Sequence, residues 1–195
     1  MVTPESLADL LKYGEHLTLE CKKAESTLPN AVWETYSAFA NTVGGTILFG
    51  IEEHRKERDP AKRFSVVNIE NLQARLKEFW DTVNNSTKVN INILRDADVG
   101  TCVIDGKTII WIEVPQADYT QKPVYINGNP ISGTYKRNHE GDYHCKEAEI
   151  RAMFRDSSDD GIDGGLLDGY TMDDIDPETL RAYRIRFTTW NPDHI

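Results

Sequence analysis

The feature that most constrains the fold is a helix that ends on two glycines and turns directly into a buried strand. Behind Pro29, a residue type favoured in the first helical turn, Val32, Trp33, Tyr36, Phe39, Ala40 and Val43 recur at helical spacing. Gly44-Gly45 closes the run, because glycine enters the left-handed region without steric cost. Thr46-Ile47-Leu48-Phe49-Gly50-Ile51 then reads as a strand covered on both faces. Adjacent glycines can also let backbone amides approach a phosphate. A Walker loop would need a following Lys-Ser/Thr, which Thr46-Ile47 does not supply, so no ATPase motif is present here.

The rest of the chain supplies partners for this unit. Thr3-Pro4 opens a short helix carrying Leu7, Leu10 and Leu11. Residues 17–22 alternate, with Leu17, Leu19 and Cys21 on one side and Thr18, Glu20 and Lys22 on the other, the pattern of a half-buried strand. Glu52 to Arg63 is dense in charge and reads as a solvated loop. Asn68 is expected to cap a second amphipathic helix bearing Ile69, Leu72, Leu76, Phe79, Trp80 and Val83. Residues 88–94 alternate as a strand, and Asp105-Gly106 joins two further strands in a hairpin. Asn127-Gly128-Asn129-Pro130 separates Val124-Tyr125-Ile126 from a strand-like run, Ser132 to Lys136, and Lys146 to Phe154 closes with a helix. Helices mixed with antiparallel hairpins make the expected fold class α+β, a mixed, largely antiparallel sheet with packed helices.

Residues 1–155 are expected to form one domain, 156–167 an acidic flexible linker, and 168–195 the start of a following, truncated region. Net charge bears on function only once it is located. The chain carries −10, but ten acidic against three basic residues from Asp156 onward account for −7 of it. The body is close to neutral, so overall charge neither predicts nor excludes a polyanion partner. No stretch has the roughly 18 apolar residues of a membrane span. The three cysteines, Cys21, Cys102 and Cys145, form no CxxC pair, which argues against a zinc ribbon or disulfide framework and suits the cytoplasm. His139 and His144 beside Cys145 fit no common zinc spacing.

Two constellations carry chemistry. Glu15 and Glu20 flank or lie on the first strand, and Glu52-Glu53 follow the strand after the glycines. Should those strands be neighbours, the carboxylates converge on an oxygen-rich site suited to Mg²⁺ or Mn²⁺, which activates water against a phosphodiester. The alternative is a set of surface acids, one paired with Lys22. Lys22, Lys23, Asn41, Lys136 and Arg137 are the candidate nucleic-acid contacts, since lysine and arginine position phosphates without reading sequence. The competing reading is an ordinary solvated cationic surface.

Three separated stretches resemble one family. Glu15-His16-Leu17-Thr18-Leu19-Glu20-Cys21-Lys22 is similar to a Glu-x4-Glu-Phe-Lys pattern, with Cys21 in place of phenylalanine. Ala38 to Gly50 follows an Ala-Phe-Ala-Asn-Thr-x-Gly-Gly-x4-Gly core. Lys122-Pro123-Val124-Tyr125, then Thr134-Tyr135-Lys136-Arg137-Asn138 and Glu140-Gly141, complete the order. Together they resemble the Schlafen AlbA-like domain, also called divergent AlbA or divergent AAA. The resemblance implies a DNA-binding module of a bacterial transcriptional regulator, with DNA favoured over RNA and a homodimer in keeping with the family. Its rival is a metal-dependent nuclease of the Schlafen type, in which Glu15, Glu20 and Glu52 match the catalytic, metal-binding acids. A protein-interaction or dimerisation module is the third reading.

Overall fold

In the computed structural model, residues 17–54, 56–57, 59, 62–158, 169 and 171–190 are described. The expected helix at Thr3-Pro4, Glu15, and most of the acidic linker lie outside them. The chain divides into a unit of residues 1–159 and a second of residues 160–195.

The first unit is built on a four-stranded sheet in the order β1 (Leu19–Lys22), β2 (Gly45–Phe49), β6 (Lys107–Val114), β5 (Val99–Ile104). β1 runs parallel to β2, and the other neighbours are antiparallel. The α+β expectation holds. The β5–β6 turn places Asp105 and Gly106 at φ 49° and 73°, the left-handed pair a two-residue hairpin requires.

The register sorts side chains onto two faces. Ile47 and Phe49 of β2, with Ile110, Ile112 and Val114 of β6, face helix α1 (Ala31–Asn41) and form the larger core. Leu19, Cys21, Leu48, Ile109 and Trp111 face the other way. That face packs Phe64 and Val66 of a small ribbon made by β3 (Ile51–Glu53) and β4 (Phe64–Val66). α1 is buried along its whole second half, Thr35 through Asn41, because the hairpin of β7 (Tyr135–Asn138) and β8 (Gly141–His144) lies against it as well.

The glycine pair is explained by this packing. Gly44 sits at φ +77°, and a Cβ there would lie 2.8 Å from the Val114 carbonyl oxygen. A Cβ on Gly45 would lie 2.7 Å from the Phe39 ring. Both positions are therefore filled by the protein itself, and the helix-stop reading accounts for them. Val43, expected in the core, is 52% exposed because the helix has already ended at Asn41.

Three local expectations are corrected. The second helix, α2 (Leu72–Val83), starts later than Asn68: Asn71, at φ 50°, caps it by accepting from the Ala74 amide at 3.2 Å. Ile69 still reaches the core ahead of the helix. Residues 88–94 make only an isolated bridge, Val89 to Ile126, rather than a strand. Two backbone bonds, the Asn90 amide to the Tyr125 carbonyl and the Asn127 amide to the Lys88 carbonyl, begin a pairing that side chains continue. The Tyr125 amide donates to Asn90 Oδ1 at 2.6 Å, the Ile93 amide to Tyr36 Oη at 2.9 Å, and the Leu94 amide to Asn92 Oδ1 at 2.9 Å. The run from Ser132 begins inside a helical turn, α3 (Pro130–Gly133), capped by Asn129, and strand geometry starts at Tyr135.

Helix α4 (Glu147–Ser157) closes the unit as expected, with the Lys146 amide donating to Glu149 at 2.7 Å. In the second unit, α5 (Pro177–Trp190) starts where Asp176 accepts from the Thr179 amide at 2.8 Å. Leu180, Tyr183 and Ile185 are exposed on it.

Candidate nucleic-acid interface

The polar face of β1 is buried at its centre, Glu20. Glu20 shares the α1 side of the sheet with Ile47, its partner in register, and is only 6% exposed. Arg137 reaches it from β7. The guanidinium donates to Glu20 Oε2 at 2.8 Å, to the Leu19 carbonyl at 3.2 Å and to Asp142 Oδ1 at 2.9 Å. It also lies over the Phe39 ring, 5.1 Å from the centroid, a favourable place for a cation. Asp142 accepts in turn from Thr35 Oγ1 at 2.7 Å, tying β8 to α1. The Arg137 amide donates to Thr42 Oγ1 at 2.9 Å. Lys22 caps the cluster by pairing with Glu20 from the partly exposed side.

Asn41 is likewise internal. Its Nδ2 donates to the Val124 carbonyl at 2.7 Å and the Tyr135 carbonyl at 3.0 Å, and its Oδ1 accepts from the Val124 amide at 2.9 Å. Ser37, one turn earlier, donates to the same Val124 carbonyl at 2.7 Å and accepts from the Tyr135 amide at 3.0 Å. A side-chain amide thus completes the backbone bonding of a segment that no regular strand accompanies. Lys122, before the cis bond to Pro123, donates to the Asn41 carbonyl at 3.1 Å, and burial lowers the pKa of its ammonium.

The expectation that Arg137 and Asn41 contact phosphate is therefore corrected. Both are buried, at 4% and 7% exposure, and their polar atoms hold the β7–β8 hairpin and the Val124 segment against α1. Lys23 and Lys136 do lie at the surface. Lys23 is within 3.2 Å of Glu25 and 3.5 Å of Glu52, and the Glu25 carboxylate raises its pKa. Lys136 pairs with Glu149, which raises the pKa of the ammonium and lowers that of the carboxyl. Both lysines are cationic at any physiological pH.

The acids do not gather into a metal centre among the described residues. Glu20 gives one oxygen to Arg137 and the other to Lys22, while Glu52 pairs with Lys23. Glu20 thus has both oxygens engaged by cations and offers a divalent ion no free carboxylate oxygen in this arrangement, while Glu52 stays partly exposed. Glu15 lies outside the described residues.

Residues 15–146 match the family described as Schlafen, AlbA_2. The chain belongs to the Schlafen AlbA_2 family. Residues 151–195 match a second description, Domain of unknown function (DUF8451). No curated protein matches the chain.

Among solved structures, the Schlafen AlbA_2 chain is similar to the N-terminal domain of a protein from Nitrosomonas europaea, described as related to the ATP-dependent DNA helicase RecG. Identity is 25%, the match covers 74% of this chain and 94% of that domain, and the TM-score is 0.52. The DIP2311 protein from Corynebacterium diphtheriae matches at 16% identity and TM-score 0.45, over 90% of this chain and 30% of that one.

Sequence reasoning missed Thr35, Ser37, Lys122 and Asp142 as members of the internal polar network. One signal was legible: Ser37 and Asn41 stand four apart on a helix whose other residues, Glu34 and Thr35 aside, are apolar or aromatic.

Proposed function

We propose that the Schlafen AlbA_2 domain is a DNA-binding module of a transcriptional regulator, holding the phosphate backbone at a surface that includes Lys22, Lys23 and Lys136. The observation that carries this reading is the family match over residues 15–146, joined to likeness with nearly the whole N-terminal domain of a RecG-related protein. Membership of this family suggests a role connected with nucleic acid.

The electrostatics add a reason to choose those lysines. Lys23–Glu25 and Lys136–Glu149 are solvent-accessible pairs, of a kind worth about 0–1 kcal/mol, so a phosphate exchanges for the carboxylate at little cost. Arg137 is bound far more firmly, and its part is to hold the β7 strand that carries Lys136. Three free thiols, and no described helix long and apolar enough to cross a membrane, are compatible with a cytoplasmic setting. A pair of identical chains belongs to the same reading, and sedimentation of the full chain checks it.

The test is competition for binding between a DNA duplex, single-stranded DNA and an RNA hairpin of equal length. The reading expects the duplex to win. Failure of all three to bind at low salt overturns it.

A further inference from the structure

The four-stranded sheet ends on two unlike edges. At one, β1 carries Glu20 and Lys22 and gives the Leu19 carbonyl to Arg137. At the other, β5 reads Val99-Gly100-Thr101-Cys102-Val103-Ile104. It has neither a charged residue nor a proline, the usual devices that keep an edge strand from pairing with another chain.

The hairpin decides which backbone groups this edge offers. Ile104 and Lys107 close the two-residue turn as a hydrogen-bonded pair, so Gly100, Cys102 and Ile104 bond to β6. Val99, Thr101 and Val103 therefore aim their N–H and C=O groups outward. The Val99 amide turns back to the Asp96 carbonyl. No described backbone group bonds Thr101 or Val103 on the outer side. Val99 and Thr101 are in register with Ile112 and Ile110, so the three residues share the α1 side of the sheet. Val99 packs against the core there, whereas Thr101 is exposed and Val103 is 58% exposed.

We infer that a second copy of this chain docks on this edge, β5 against β5 in antiparallel order about a two-fold axis at Thr101. The sequence selects that occupant, because Val-x-Thr-x-Val reads the same in both directions. Thr101 meets the partner's Thr101, and the two exchange both backbone bonds. Val103 meets the partner's Val99 and donates its N–H to that carbonyl. Threonine with threonine and valine with valine are favourable cross-strand pairs. Sliding the copies by two residues would set Thr101 against valine and bring Val99 opposite the charged Asp105. An extended peptide from another protein would use the open edge but not the palindrome. The inference gives an interface to the pair of identical chains that accompanies the proposed function, and rests on that pairing.

Sedimentation of the full chain from about 1 to 100 µM tests it, with Thr101→Pro and Val103→Lys beside the wild type. Proline removes an N–H that β6 does not use, and lysine leaves every β6 bond in place. The wild type is expected to dimerise in this range, and each substitution to weaken association at least about tenfold without lowering the melting temperature of Val103→Lys. The register is tested by oxidation in a Cys102→Ser background. Thr101→Cys is expected to cross-link two chains, since a hydrogen-bonded pair sets Cα atoms about 5.5 Å apart. Val103→Cys is expected not to, because its own counterpart lies roughly 13 Å along the strand. A monomeric wild type, association unchanged in both edge variants, or equal cross-linking at the two positions overturns the inference. A monomeric wild type that binds duplex DNA contradicts this interface alone. Dimers lost in Val103→Lys, with no nucleic acid bound by any form, support the interface and overturn the proposed function.

Discussion

Arg137 donates to Glu20 across 2.8 Å, joining a strand near the beginning of the chain to a hairpin near the end of the domain. The guanidinium is 1% exposed and the carboxylate 8%, so neither charge has water to fall back on. Truncating one partner of a buried pair strands the other and costs about 3–5 kcal/mol. Arg137→Ala is therefore expected to lower urea-unfolding stability by about that amount, with Asp142 and Glu20 both left uncompensated. Loss of less than about 1 kcal/mol would show that the cluster is not the clamp described here.

Asn41 offers a separate test of the internal network. Asn41→Ala removes the partners of the Val124 amide, the Val124 carbonyl and the Tyr135 carbonyl at once. Each buried polar group left unsatisfied costs about 1–3 kcal/mol, although Ser37 retains its bond to the Val124 carbonyl. Protection of the Val124 amide from hydrogen exchange is expected to fall together with global stability. Unchanged protection would contradict the assignment.

Gly44→Ala is expected to destabilise for two reasons that act together. The positive φ of 77° strains an L-residue, and the added methyl group meets the Val114 carbonyl at 2.8 Å. Backbone strain alone is of order 1–3 kcal/mol. A melting temperature equal to that of the wild type would mean the glycine is not needed for the turn.

Cys145 supplies a pH-dependent prediction. Burial pushes its thiol up to about 11 from an ordinary value of 9.0. The folded state thus prefers the protonated thiol. Its contribution is intact below pH 9, and declines as pH rises from there toward 11. Stability measured across that interval is expected to fall more in the wild type than in Cys145→Ala. At pH 8, thiol reagents are expected to modify Cys102, which is partly exposed, faster than buried Cys145.

How much of this was legible in the sequence depended on whether a residue's partner lay nearby. The helix, its glycine stop and the following strand could be read because periodicity and glycine chemistry are local. Asp105-Gly106 and Asn127-Gly128 were legible for the same reason, and both pairs adopt positive φ. Residues 88–94 misled because alternation reports two environments, not a hydrogen-bonded neighbour. Here Asn90 and the hydroxyl of Tyr36 provide the backbone partners. The sequence marks Arg137 as a residue of consequence without showing that it is buried. Its partners Glu20 and Asp142 stand 117 and 5 residues away, and nothing in the spacing announces that all three are buried together. For the acids on β1 and β3, spacing likewise could not reveal that Glu20 is held by Arg137 and Lys22 and that Glu52 lies beside Lys23.

The most direct test of nucleic-acid binding is fluorescence anisotropy of a labelled DNA duplex, titrated across salt concentration with wild-type protein, Lys23→Ala and Lys136→Ala. The account predicts that log affinity falls linearly with log salt, and that each substitution reduces the slope by about 1 while leaving the fold intact. Salt-independent binding, or slopes unaltered by both substitutions, would contradict it.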